Sequence, residues 1–206
     1  MQTDINRGIL ARQRLNYIFK ELFRKSIHIC SSFVPLFLKF AYWPVIAGLV
    51  FLLIFYSVCE LLRLKGKNIP LISKVTEIAA RKRDENKFVL GPVTLVLGIL
   101  LAALFLPYEC ARVGIFALSF GDGLASLVGK LIGKVTIPGA HGKTVAGSLT
   151  CFTAVFIATF CCSGNCFISL VIGLCAMFIE VLPLADFDNL LIPLSIGFLF
   201  KLLSGF

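Results

Sequence analysis

Polar residues fall in a few short intervals of this chain, and the apolar stretches between them are long and unbroken. Seven runs, near 26–42, 43–62, 88–107, 110–132, 144–162, 166–183 and 189–204, approach the roughly 20 residues needed to cross a hydrocarbon core. They lack the period-two alternation of barrel strands, and only helices or closed barrels satisfy the backbone in lipid. The pattern therefore predicts an all-α fold, a polytopic transmembrane helix bundle of about seven spans. Pro35, the glycines of the fourth run and Pro183 leave six or eight as alternatives. Ahead of the first run, "INRGILARQRLNYIFKELFRK" places basic and apolar residues at helical spacing, which predicts an amphipathic interfacial helix over 1–25 on an anionic membrane surface. No cleavable small-residue site follows a short apolar core, so this segment does not read as a signal peptide. Residues 26–206 read as one transmembrane domain, without internal repeat or linker.

Composition agrees. The 206 residues are 58% hydrophobic and 15% charged, whereas a soluble domain is about half apolar and a quarter charged. The net charge of +9 raises nucleic acid as a partner, but the distribution argues for a membrane. Basic residues cluster before the first span, between the second and third, and between the fourth and fifth; Lys39, Arg112 and Lys201 fall on the other side. The positive-inside rule makes the amino terminus and these loops cytoplasmic. Most carboxylates then lie near that face, including Glu21, Glu60, Asp122, Glu180, Asp186 and Asp188, with Glu109 the exception. With His28, His141 and several lysines, they predict a polar site facing the cytoplasm. Glu77, Asp84 and Lys65 read as residues of helix ends in the headgroup region. The eight cysteines contain no CxxC pair and mostly read as small hydrophobes; Cys161, Cys162 and Cys166 flank an outside loop.

"SFGDGLASLVGKLIGK" sets Asp122 between Gly121 and Gly123 where the chain should be crossing lipid. A P-loop needs GxxxxGK followed by Ser or Thr after a strand; the glycine spacings after Gly129 and Gly139 are too short. Phosphate binding survives that exclusion. "HGKTVAGS" leads into the fifth span, where free amides, the positive helix end and Lys143 make an anion site. In a second reading, Gly142 and Gly147 permit tight packing and Thr144 is an N-cap. Both can hold together.

"FGDGLASLVGKLIGK" followed by "GKTVAGSL" is similar to the paired signature of the CTP-dependent membrane lipid-alcohol kinases: dolichol kinase, phytol kinase and CTP-dependent diacylglycerol kinase. "ELFRKSIHI", "DENKFVLGPVTLVLG" and "EVLPLADFDNLLIPL" resemble further elements of that family in the expected order. Phosphatidate cytidylyltransferases are distant relatives of the family. They carry a Glu-Ser pair and a Lys-Asp where this chain has Ala125-Ser126 and no Lys-Asp, which favours a kinase.

The resemblance implies phosphoryl transfer from CTP, with Mg²⁺, to the hydroxyl of diacylglycerol, a polyprenol or dolichol, or phytol. Asp122, Lys143 and Asp188 form the expected catalytic set. Asp122 is expected to be a Mg²⁺ ligand or a base, with Gly121 and Gly123 allowing close backbone approach. Asp188, Asn189 and Asp186 are oxygen donors for the same hard cation. Lys143, Lys130, Ser148 and the segment around Gly142 and Thr144 are expected to steady phosphates. Arg24, Lys25 and His28 would hold phosphate or orient the lipid hydroxyl, and Glu180 would orient one of these cations. Outside this class, a transporter would place its polar groups near the midplane and often show an inverted repeat, which is absent here. Both a bacterial inner membrane and the endoplasmic reticulum fit, and the choice between monomer and homodimer is left open.

Overall fold

The computed structural model describes residues 2–67, 76, 87–140 and 142–205, without the side chains of 2–11, 13, 14 and 17. The expectations placed on Glu77, Asp84 and His141 lie outside the described residues. The described residues are mostly helical, with no strand and only an isolated bridge between Thr136 and Thr144.

The helices are α1 (Gln2–Cys30), α2 (Val34–Phe40), α3 (Tyr42–Leu64), α4 (Gly91–Phe105), α5 (Tyr108–Leu131), α6 (Val145–Ser163), α7 (Cys166–Val181) and α8 (Asp188–Ser204). Among the described residues, α3, α5 and α6 are long and apolar enough to cross a membrane; α4 and α7 are apolar but shorter, at 15 and 16 residues. The first expected span is divided: α1 runs unbroken past residue 25, and a 3₁₀ turn over Ser31–Phe33 joins it to α2.

Local chemistry sets the ends. Pro92 opens α4, where its missing N–H is no loss. Thr144 caps α6 by accepting from the Gly147 amide, and Asn165 caps α7 by accepting from Ile168. Gly164 and Gly205 close α6 and α8 in left-handed conformations.

α5 is the central element. Its Cys110, Ile115, Leu118 and Ser119 have no exposed surface, and it packs against α8, α6 and α1. The glycines expected to interrupt it do not. The helix continues through them, widened into a π turn over Ala117–Asp122. Such turns admit one extra residue and shift the face that follows.

Without hydrophobic pressure between helices in lipid, close approach depends on small residues. A Cβ at Gly98 would collide with the Asn189 carbonyl, and one at Gly114 with the Pro193 carbonyl, so α4 and α5 both lie directly against the α8 backbone. Gly98→Ala is accordingly expected to destabilise the protein by about 1–3 kcal/mol through overpacking, read as a lower melting temperature in detergent. Gly48, whose Cβ would meet nothing within 4 Å, is the control: Gly48→Ala should leave melting unchanged or raise it, because alanine is the better helix former.

Candidate active site

Asp122 ends the π turn and is buried, 3% exposed. Lys25 and His28, three residues apart on α1, share the face that meets it. Lys25 Nζ donates to Asp122 Oδ2 at 2.5 Å. His28 Nδ1 lies 3.1 Å from the same oxygen, within ion-pair reach but not aligned as a hydrogen bond. A neighbouring pair of hydroxyls fixes this junction: Ser31 and Ser119 meet at 2.7 Å, and Ser119 donates to Ile115 O.

This cluster borders a cleft of about 680 Å³, its open mouth included. Arg24, Lys25 and His28 line it from α1, Asp122 from α5, and Asp186, Asp188 and Asn189 from the start of α8 and the turn before it. Ile27, Tyr56, Val89 and Leu95 supply much of the remaining wall. Asn189 Nδ2 donates to Thr94 Oγ1 at 3.0 Å and to Gly91 O at 3.3 Å, so it ties α8 to the first turn of α4. Asp188 Oδ1 accepts the Asn189 amide at 2.8 Å. Among the described residues no three His, Cys, Asp or Glu side chains form a ready metal cage.

Seven of the residues expected from sequence therefore converge on one cleft. The others stand elsewhere. Lys130 reaches Glu21 Oε2 at 2.6 Å. Lys143 donates to the Glu180 carbonyl and lies 3.3 Å from Glu180 Oε1, while Glu180 Oε2 is buried without a hydrogen-bond partner. Three of the amides expected to be free at the start of α6 are engaged: Val145 donates to Val135 O, Gly147 to Thr144 Oγ1 and Ser148 to Thr144 O. Gly142 takes a positive φ of 84°, in the turn before α6. The glycines around Asp122 serve helix contact, Gly121 against Val155 and Cys151 of α6 and Gly123 against Ile29 of α1.

Glu21 is a residue whose importance the sequence does not announce. Its carboxylate accepts from Arg24 at 2.6 Å and Ser126 at 2.7 Å as well as pairing with Lys130, so it holds Arg24 at the cleft and clamps α1 to the end of α5. The i, i+3 spacing of Glu21 and Arg24 was the available signal, but that spacing is common on solvated helix faces. Tyr56, Val89 and Leu95 carried no signal, because they resemble any other apolar residue.

No protein-family model and no solved structure matches the chain. Over 188 residues it is 26% identical to an uncharacterised protein of Methanocaldococcus jannaschii, covering 87% of this chain and 92% of that one. It is 27% identical to the CTP-dependent diacylglycerol kinase 1 of Saccharomyces cerevisiae over 65% of this chain and 47% of the relative. It is 29% identical to the chloroplastic phytol kinase 1 of Arabidopsis thaliana over 66% and 46% respectively. These two named relatives are kinases. The chain spans about half the length of these two.

Burial alone would push the Glu21 carboxyl up, but the Arg24 guanidinium and the Lys130 ammonium outweigh it and hold the group at about 2 instead of the ordinary 4.5. A lowered folded value stabilises at pH above the unfolded one. The clamp should therefore be intact above about pH 4.5 and loosen as the pH falls toward 2. The melting temperature in detergent should fall across this window in the parent protein. Glu21→Gln should melt lower at neutral pH and lose less on acidification.

Proposed function

We propose that this protein is a CTP-dependent kinase that phosphorylates the hydroxyl of a membrane lipid alcohol, such as diacylglycerol, a polyprenol or phytol. The observation that carries the reading is the meeting, in one cleft, of three potential cations from α1 with carboxylates from α5 and α8 beside an apolar wall. Phosphoryl transfer asks mainly for positioning and for neutralisation of charge on the phosphates. Arg24 and Lys25 are placed to meet phosphate oxygens, and the names of the relatives support CTP as donor.

Asp122 already receives Lys25 on Oδ2, and His28 Nδ1 lies beside the same oxygen. It orients the Lys25 ammonium and His28 for an incoming phosphate, and it is the carboxylate nearest these groups for accepting the proton of the lipid hydroxyl. Mg²⁺ fits the opposite part of the cleft, because nucleotide-bound Mg²⁺ is commonly held by one or two carboxylates and by substrate phosphates rather than by a protein cage. Asp186 and Asp188 are the residues that would hold it, with Asn189 limited to Oδ1, and it would supply charge neutralisation on the transferring phosphate. The apolar wall from Ile27 to Leu95 suits the body of the acceptor.

In this reading the cleft faces the cytoplasm, in a bundle of about seven spans. The exposed Leu15, Phe19, Leu22 and Phe23 of α1 suit a helix lying in the headgroup region.

Purified protein with a lipid panel and CTP labelled separately at the γ and α phosphates tests the reaction. γ label in the lipid is expected; α label would mean cytidylyl transfer, and no label would remove both. Asp122→Asn should abolish turnover while the protein still inserts. Lys25→Met leaves a buried carboxylate with its main partner gone and should cost about 3–5 kcal/mol of stability, part of which Asp122→Asn in the same chain should restore. Equal melting of the single and double variants would refute the coupling.

A further inference from the structure

Glu60 lies in the last turns of α3 at the end of a long apolar run, with 0% of its surface exposed. An ionisable group at such a place is costly unless fully partnered. It is fully partnered. Arg63 Nε donates to Oε2 at 2.9 Å and Arg63 Nη2 to Oε1 at 2.7 Å, a two-pronged pairing, and the Val89 amide donates to Oε1 at 2.9 Å. Arg63 Nη2 also donates to Lys87 O at 2.9 Å. The unit thus grips two residues of the strand-free segment leading into α4.

That segment is part of the cleft. Val89, Gly91 and Pro92 line it, as does Tyr56, one turn before Glu60 on α3. The Tyr56 hydroxyl reaches Val89 O at 3.4 Å, so both backbone groups of Val89 have partners on α3. From the far side, Asn189 holds Gly91 O and Thr94. The first turn of α4 is therefore suspended between two polar anchors, one on α3 and one on α8. Were the Glu60 anchor released, the backbone of Val89 would keep, among the described residues of α3, the long Tyr56 hydrogen bond.

We propose that Glu60 is a positioning residue: through Arg63 and the Val89 amide it fixes the wall of the cleft against which substrate is set opposite the Lys25–Asp122 pair. Its kinetic consequence rests on the kinase reading. Its structural consequence does not.

Two measurements test it. On a background with the native cysteines replaced, Val89→Cys should resist maleimide, because this position is buried at 2% exposure; adding Glu60→Ala should expose it and speed labelling about ten-fold or more. Per folded molecule, Glu60→Ala should also lower kcat/KM of γ-phosphate transfer by about 10–100-fold, the scale on which small misplacements act. Glu60→Gln keeps an oxygen for the Val89 amide and should fall between Glu60→Ala and the parent, which preserves the test if the alanine variant fails to fold. Unchanged labelling of position 89 overturns the proposal. So does loss of yield with kcat and KM unaltered per folded molecule, which would make Glu60 a folding residue only. If the parent protein transfers no γ-phosphate, the kinase reading fails, and labelling still decides whether Glu60 sets the wall.

Discussion

A carboxylate buried between helices must be compensated where it stands, and the rest of this structure is arranged around that requirement at Asp122. The side chain leaves α5 from a π turn inside the most enclosed helix, and the compensating charge comes from α1, 97 positions earlier in the chain. Taking both ions from water costs several kcal/mol each before any attraction is recovered. The pair therefore makes poor sense as a stabilising device compared with an apolar contact of equal volume. Its retention is intelligible when the charges also act on something that enters the cleft.

Packing brings that pair together. α8 comes within backbone contact of α4 and α5 because Gly98 and Gly114 have no side chains, and the same approach carries Asp188 and Asn189 to the cleft. Gly121 and Gly123 let α6 and α1 close on either side of Asp122. In a lipid environment these contacts are van der Waals in kind, so the fit of small residues against carbonyls substitutes for the hydrophobic drive of a soluble core.

Two further glutamates show a common device. Glu21 and Glu60 each pair with an arginine three residues later and then reach across to another element, Glu21 to Ser126 and Lys130 of α5 and Glu60 to the Val89 backbone before α4. Each pins one border of the cleft. The opposite end of α5 carries a different kind of pair, Glu109 with Arg112 at 2.6 Å, partly exposed and local to its helix.

The sequence by itself determined the helical class, the approximate position of most helices and the concentration of polar groups toward one end. These follow from unbroken apolar runs and from prolines, glycines and caps, which are local properties. It also picked out Arg24, Lys25, His28, Asp122, Asp186, Asp188 and Asn189, which line one cleft in the folded chain. What it could not determine was which polar groups face one another, because ion pairing depends on helix rotation and on contacts between distant segments. Lys130 and Lys143 read like phosphate ligands from their glycine-rich surroundings, yet tertiary packing gives them to Glu21 and Glu180. Amides opening α6 looked available, yet those of Val145, Gly147 and Ser148 are taken up by Val135 and by Thr144. Glu60 offered only its side of the membrane. Its part in holding Val89 exists only because α3 and the segment before α4 meet in the folded chain, at a separation no periodicity records.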